Sequence, residues 1–299
     1  MDRELLKDKI LTDKEKLILL SLVAIDSITT LKIHRVLEKI ECLEDLEHIT
    51  LKKFVSYFGK NNEESFAKFQ YNMTFNYKKY FEFYNVEYIF FDDEYYPQEF
   101  FRLYDYPFII FYRGNKDLFL FRRKMSIVGT RNNTKYSERA LDVIIPFLLD
   151  NNFVIVSGIA MGVDGLAHQK TIRNKGYTIG VIAHGHNTVY PEGNKYLYDI
   201  MRKKHLIISE YFPTAKIRKY RFLERNRLVA GFSSALLVTE AGIRSGTSRT
   251  IDYALDIGIS VFCLPGRFGD KMSISLNEYI KMGATMVNNL QDFKTELNF

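Results

Sequence analysis

From Met125 onward the chain repeats one pattern, an apolar run of four or five residues followed by an amphipathic stretch. The runs fall at 125–128, 153–156, 178–182, 206–208, 235–238, 260–264 and 284–287, and they are apolar nearly throughout rather than on alternate positions. A strand with two apolar faces must be covered on both of them, and strands separated by helices are joined by parallel crossovers. The expectation is therefore a Rossmann-like α/β domain with a parallel sheet and helices on both faces. The intervening helices are expected from about residue 137, then over 163–174, 194–203, 221–231, 248–257 and 276–282. Pro146 lies inside the first of them and is expected to kink or shorten it.

The first 83 residues have a different texture. Leu17, Leu20, Ile28, Leu31, Val36, Leu37 and Ile40 recur at helical spacings, with Thr12 or Asp13 placed to cap the first helix. This predicts a small N-terminal helical domain over 1–83, followed by a Rossmann-like domain over 84–299. Within the latter, 84–124 reads as a strand-containing extension, with runs at 88–91 and 108–112 punctuated by Pro97 and Pro107, and 125–299 as the core.

Composition narrows the function classes. With 299 residues, 46% hydrophobic and 26% charged, the chain can bury a core, which excludes disorder as its main theme. Cys42 and Cys263 are the only cysteines, too few for a disulfide framework or a cysteine metal cluster, and they point to a reducing, cytoplasmic setting. No run of about 18 apolar residues occurs, so no membrane span is expected. Forty-two Lys plus Arg against 36 Asp plus Glu leave a net charge of +6, which makes an anionic partner worth seeking.

In parallel sheets the ligand site lies beyond the carboxyl ends of the strands, where amides and helix N-termini converge. Gly129-Thr130-Arg131 follows the first strand, Ser157-Gly158 through Gly162 the second, and Ser245-Gly246-Thr247 comes after the strand ending at Val238. Small residues at three strand ends form a phosphate cradle, although glycine there also serves simply to turn the chain. The dinucleotide spacing G-x-G-x-x-G is absent, because the position two past Gly129 is Arg131. No nicotinamide or flavin cofactor is expected. Arginine at that point offers a planar fork suited to a phosphate.

A second basic feature spans 216–227, where Lys216, Arg218, Lys219, Arg221, Arg225 and Arg227 face the single acid Glu224. Such a run can be a solvated helix face. Here Tyr220 and Phe222 interleave with the charges, and Arg225, Asn226 and Arg227 lead into an apolar stretch that must pack on the sheet. Cations that hold a backbone beside rings that stack on bases suit single-stranded nucleic acid. His184 and His186 lack a third ligand at metal spacing, so no metal is expected. His168 reads as a structural hydrogen bonder, and Asp164 as a helix-start carboxylate accepting backbone N–H bonds.

Taken in order, V-G-T-R, S-G-I-A-M-G-V-D-G-L-A-H, Y-P-E-G-N, I-S-E, R-N-R-L-V-A-G, E-A-G-I-R-S-G-T and F-C-L-P-G resemble the bacterial DNA-processing protein A family (DprA, also called Smf), over about residues 95–287. The resemblance implies a non-enzymatic single-stranded DNA-binding protein with an extended Rossmann fold. It also implies a part in natural transformation: protecting incoming DNA, loading the RecA recombinase, and acting as a homodimer. By position, Gly129, Thr130 and Arg131 would hold a phosphate, with Ser157, Gly158 and Gly162 supplying amides, and with Arg225, Asn226, Arg227, Ser245, Gly246 and Thr247 as further contacts. Three departures stand out. Met161 replaces a frequent Arg or Lys, Ser275 replaces a glycine, and the C-terminal winged helix of many members is not expected in a chain that stops at Phe299.

Two rival readings remain at this point. One is a nucleotide-processing enzyme related to the lysine-decarboxylase-like phosphoribohydrolases, in which Thr250 stands where their catalytic carboxylate would be. The other is a Rossmann-type sensor that binds a small nucleotide in the same cradle.

Overall fold

The computed structural model describes residues 6–59, 63–243, 245–267 and 269–298. The outermost residues of both expected domains, 1–5 and 299, thus lie outside the described residues. The chain separates into two compact units. The first comprises Met1–Tyr112, His184–Asn187 and Ser209–Lys216; the second comprises Arg113–Ala183, Thr188–Ile208 and Ile217–Phe299. The hairpin region up to residue 112, assigned from the sequence to the extension of the second domain, thus clusters with the helices that precede it.

In the first unit, helices α1 (Asp13–Val23), α2 (Thr30–Leu37), α3 (Leu51–Phe58), α4 (Glu63–Asn72) and α5 (Tyr77–Tyr84) precede strands β1 (Glu87–Phe90) and β2 (Ile109–Gly114). Thr12 caps α1: its side chain accepts from the Glu15 amide while Glu15 reaches back to the Thr12 amide. β1 and β2 pair antiparallel, Glu87 opposite Tyr112 and Phe90 opposite Ile109. His34 of α2 is buried, stacked on Phe108 at 4.2 Å and bonded through Nε2 to the Tyr106 carbonyl at 2.8 Å.

The second unit continues with β3 (Lys124–Val128), α6 (Lys135–Asp150), β4 (Val154–Ser157), α7 (Val163–Arg173), β5 (Thr178–Val181), α8 (Lys195–Lys204) and β6 (Leu206–Ser209). It ends with α9 (Lys219–Gly231), β7 (Ala235–Val238), α10 (Gly246–Asp256), β8 (Ser260–Cys263), α11 (Ile274–Lys281), β9 (Thr285–Met286) and α12 (Gln291–Leu297). The strands run in the order β6-β5-β4-β3-β7-β8-β9, every one of these neighbours parallel.

Residues of β3 show how both faces are covered. Met125 and Ile127 enter a core with Leu141, Ile144, Ile145 and Leu148 of α6, a stripe at helical period. Between them Ser126 points the other way and donates to the Val229 carbonyl of α9 at 2.5 Å. α6 runs unbroken through Pro146, so the expected shortening does not occur. The missing N–H would have paired with Asp142, one turn earlier, whose side chain meets the Lys170 ammonium of α7.

From β3 the strands are added on one side as far as β6, and the chain then crosses to place β7 on the other side of β3, so the strand order reverses there. The crevice at that reversal is where doubly wound sheets bind ligands.

Candidate nucleic-acid interface

A cleft of about 620 Å³ opens at this reversal. Its walls come from the turn after β3 (Val128 to Arg131), the turn after β4 (Ala160, Asp164), one side of α9 (Lys219, Phe222, Leu223, Arg225, Asn226) and the start of α10 (Ser245, Gly246, Thr247, Thr250), with Tyr190 at the edge. Among the described residues its charged side chains are Arg131, Lys219 and Arg225, with Asp164 the one acid. Arg131 and Lys219 are exposed, whereas Arg225 is only 4% exposed.

The turn after β4 is held in an unusual shape. Ile159 has φ +54°, a region that β-branched residues rarely occupy. The Asn194 amide, at the start of α8, donates to both the Ile159 carbonyl (3.1 Å) and the Ala160 carbonyl (2.9 Å), which fixes that conformation. Gly162 follows at φ +81°, and a methyl group there would run into the Thr130 and Arg131 carbonyls. Both its dihedral and its contact therefore require glycine. The Val163 amide, in the first turn of α7, donates to the Thr130 carbonyl at 3.1 Å, joining the turns after β3 and β4.

Asp164 organises the same turn. Its buried carboxylate accepts from the Gly158 and Ala160 amides, as expected for a helix-start acid. Burial raises its pKa above the ordinary carboxylate range, opposed by the Arg225 charge, those two amides and Arg131. A methyl group at Gly158 would overlap the Arg225 guanidinium and press on the Asp164 carboxylate, so arginine and aspartate meet over the bare glycine.

Outside the cleft lining, Glu240 is 3% exposed and accepts from the Thr134 amide (2.9 Å), the Thr134 hydroxyl (2.8 Å) and the Ser137 hydroxyl (2.5 Å). Its carbonyl accepts from the Thr130 amide at 2.8 Å. One residue after β7 thus anchors both the start of α6 and the Arg131 turn.

The sequence-predicted residues divide by what their polar atoms do. Ser157 and Gly158, expected to supply amides to a phosphate, stand outside the cleft lining. Ser157 is fully buried with its hydroxyl on the Ile127 carbonyl at 2.6 Å, and the Gly158 amide serves Asp164. Thr247 and Asn226 line it, but the Thr247 hydroxyl donates to the Gly129 carbonyl at 3.0 Å and the Asn226 amide to the Gly246 carbonyl at 3.0 Å. They tie α10 to the β3 turn and to α9. Ser245 caps α10, accepting from the Ser248 amide. The first amides of α10, at Gly246 and Thr247, are helix-start donors at the cleft wall.

The basic segment divides as well. Lys219 and Phe222 line the cleft; Arg221 and Arg227 are buried outside its lining. Arg218 and Tyr220 are exposed beyond it, and Lys216 belongs to the first unit. The R-N-R triplet therefore contributes Arg225 and Asn226 to the wall. Asn194 escaped sequence reasoning as a site-builder, although it sits in the motif Y-P-E-G-N; Glu240, at the strand end after Val238, is given no role from the sequence. His184 and His186 are buried in the first unit, with ring nitrogens against the Gly185 and Phe111 carbonyls at 3.0 Å each. His168 meets the Thr178 hydroxyl at 2.6 Å, the structural role expected of it.

Comparison with known proteins follows the same residues. The DNA recombination-mediator protein A family matches residues 87–298. DNA processing protein DprA of Streptococcus pneumoniae is 39% identical over 207 residues, covering 69% of this chain and 73% of the relative. The Bacillus subtilis protein of the same name is 37% identical over 195 residues, covering 65% and 66%. The X-ray structure of the pneumococcal protein superposes with a TM-score of 0.79 at 32% identity, covering 96% of this chain and 99% of that one. DNA processing protein A from Helicobacter pylori, whose structure concerns its single-stranded DNA binding mode, gives 0.65 at 29% identity, covering 71% and 95%.

Proposed function

The chain belongs to the DNA recombination-mediator protein A family, and from that premise we propose that it binds single-stranded DNA and mediates its recombination during natural transformation. The observation that carries this reading is the cleft at the β3/β7 reversal, where Arg131, Lys219 and Arg225 outnumber the one carboxylate and the first amides of α10 stand in the wall. A polynucleotide backbone would be held by the cations and amides, with the ring of Phe222 available to a base. Contacts of this kind go to phosphate and ring faces and read no sequence, so affinity is expected to vary little between sequences.

Binding without turnover fits the wall chemistry. Thr250 lines the cleft where a phosphoribohydrolase would need a carboxylate, and a hydroxyl of very high pKa is a poor proton donor or acceptor. Asp164, the carboxylate present, is engaged with two amides and lies beside Arg225. Loading of the RecA recombinase and homodimer formation complete the proposal. No described helix is long and apolar enough to cross a membrane, and a cytoplasmic place of action accords with the proposed DNA substrate.

Competition separates this from the nucleotide-sensor reading. Unlabelled oligonucleotide should displace a labelled single strand at far lower concentration than any mononucleotide. Displacement by a mononucleotide at micromolar level would favour the sensor. Recruitment of the host RecA to DNA carrying this protein tests the loading step, and absence of recruitment would remove it.

A further inference from the structure

The rim of the parallel sheet opposite the cleft carries its own concentration of positive charge. Arg122 and Arg123 precede β3, Arg173 and Lys175 precede β5, and Lys203 and Lys204 precede β6, all exposed. Contacts tie these entries into one surface. Tyr177 lies 6.1 Å from the Phe121 ring and 6.2 Å from the His205 ring, and the Asn115 amide donates to the His205 carbonyl at 2.7 Å. Lys175 is fixed at the end of α7 in the left-handed region, φ +59°, with its amide on the Ile172 carbonyl.

Like charges lie close enough here to act on one another. Burial first, and the neighbouring Arg202 second, hold the Arg113 guanidinium below its ordinary pKa. Burial and then Lys204 lower His205 in the same way. Asp199 of α8 is engaged by Lys195 and Arg202. Among these charges sit exposed apolar groups, Tyr177 at 47% and Leu120 at 55%, beside the half-buried Phe121 ring.

We propose that this rim is a second binding surface for single-stranded DNA, with Lys175, Lys203 and Lys204 holding phosphates and Tyr177 stacking on a base. Exposed rings among cations favour a single strand over a duplex, which presents its backbone and keeps its base faces stacked inside. The identity of the ligand rests on the single-stranded DNA reading of the cleft; the location does not.

The test uses the full chain with a short oligothymidylate carrying 5-iodouracil, titrated at low salt and then irradiated. The protein should take up two equivalents and yield a crosslink at Tyr177. The triple variant Lys175→Glu, Lys203→Glu, Lys204→Glu should keep the first equivalent, weaken the second by about tenfold or more, and lower the log–log salt slope of that second step by about 2, at roughly 0.7 per phosphate. Arg131→Ala should weaken the other equivalent and leave the Tyr177 crosslink. A single equivalent in the unmodified protein, a triple variant indistinguishable from it, or crosslinks that spare Tyr177 would overturn the second surface. Loss of the cleft reading would look different: rim binding would persist and Arg131→Ala would change nothing.

Discussion

The guanidinium of Arg225 fills the space in which a side chain at residue 158 would stand, so the bare backbone of Gly158 is what lets arginine and Asp164 meet at the floor of the cleft. The two residues are remote in sequence and belong to different elements, α9 and the turn after β4. Gly158→Ala should therefore displace Arg225 while leaving the sheet intact. The expected result is affinity for a single strand lowered by about tenfold, near 1.4 kcal/mol, with an unchanged far-ultraviolet circular dichroism spectrum. Equal dissociation constants for variant and parent would show that Arg225 does not act through this position.

Asn194 holds two carbonyls of the strained turn with one amide. Asn194→Ala would strand the Ile159 carbonyl, leave the Ala160 carbonyl with only the Gly165 amide at 2.9 Å, and release Ile159 from φ +54°. A loss of about 1–3 kcal/mol is expected in urea unfolding, the range for buried groups left without partners. A loss below about 0.5 kcal/mol, typical of surface substitutions, would mean that the turn keeps its shape without the clamp.

Much of the fold was legible because its signals are local. The strands of the second unit are contiguous apolar runs, and all seven were placed within a residue or so of where they lie. The final helix α12 was missed, since Gln291 to Leu297 is polar apart from Phe293, Leu297 and little else. The cleft's location followed from the sheet topology, but the uses of its residues did not. That the Thr247 hydroxyl is spent on Gly129, Asn226 on Gly246, and Ser157 on Ile127 depends on partners 20 to 118 positions away. A motif shows that a hydroxyl or amide stands at a strand end; only the packed chain shows whether it faces a ligand or a neighbouring loop.

Acid should weaken the fold through buried histidine. Burial pushes the His168 pKa down to about 3 from 6.5, and His205 is lowered as well. The unfolded chain then takes up protons that the folded chain refuses, so stability falls as pH drops below 6.5 and levels off near 3. The His168 contribution is about 1.4 kcal/mol per pH unit within that window. Urea midpoints at pH 7 and pH 5 should differ accordingly, and the difference should shrink in His168→Asn. An identical pH dependence in that variant would contradict the assignment.

Glu240 joins the start of α6 to the Arg131 turn through its carboxylate and its carbonyl. Glu240→Ala removes the carboxylate and leaves the Thr134 amide and hydroxyl facing a void, while the Ser137 hydroxyl keeps the Thr239 hydroxyl at 2.8 Å. A destabilisation of about 1–3 kcal/mol in equilibrium unfolding is expected, from the buried Thr134 donors left unmade, while Thr134 itself still caps α6. A value near zero would reduce Glu240 to a bystander.

The grip of the cleft's cations on a single strand is what most needs measurement. It is tested most directly by fluorescence anisotropy of a labelled oligothymidylate across a salt series, comparing the unmodified protein with the Arg131→Ala, Lys219→Ala double variant. The double variant should bind more weakly at every salt concentration, with a log–log slope less steep by about 1.4, two phosphates at roughly 0.7 each. Superimposable curves from a correctly folded double variant would contradict it.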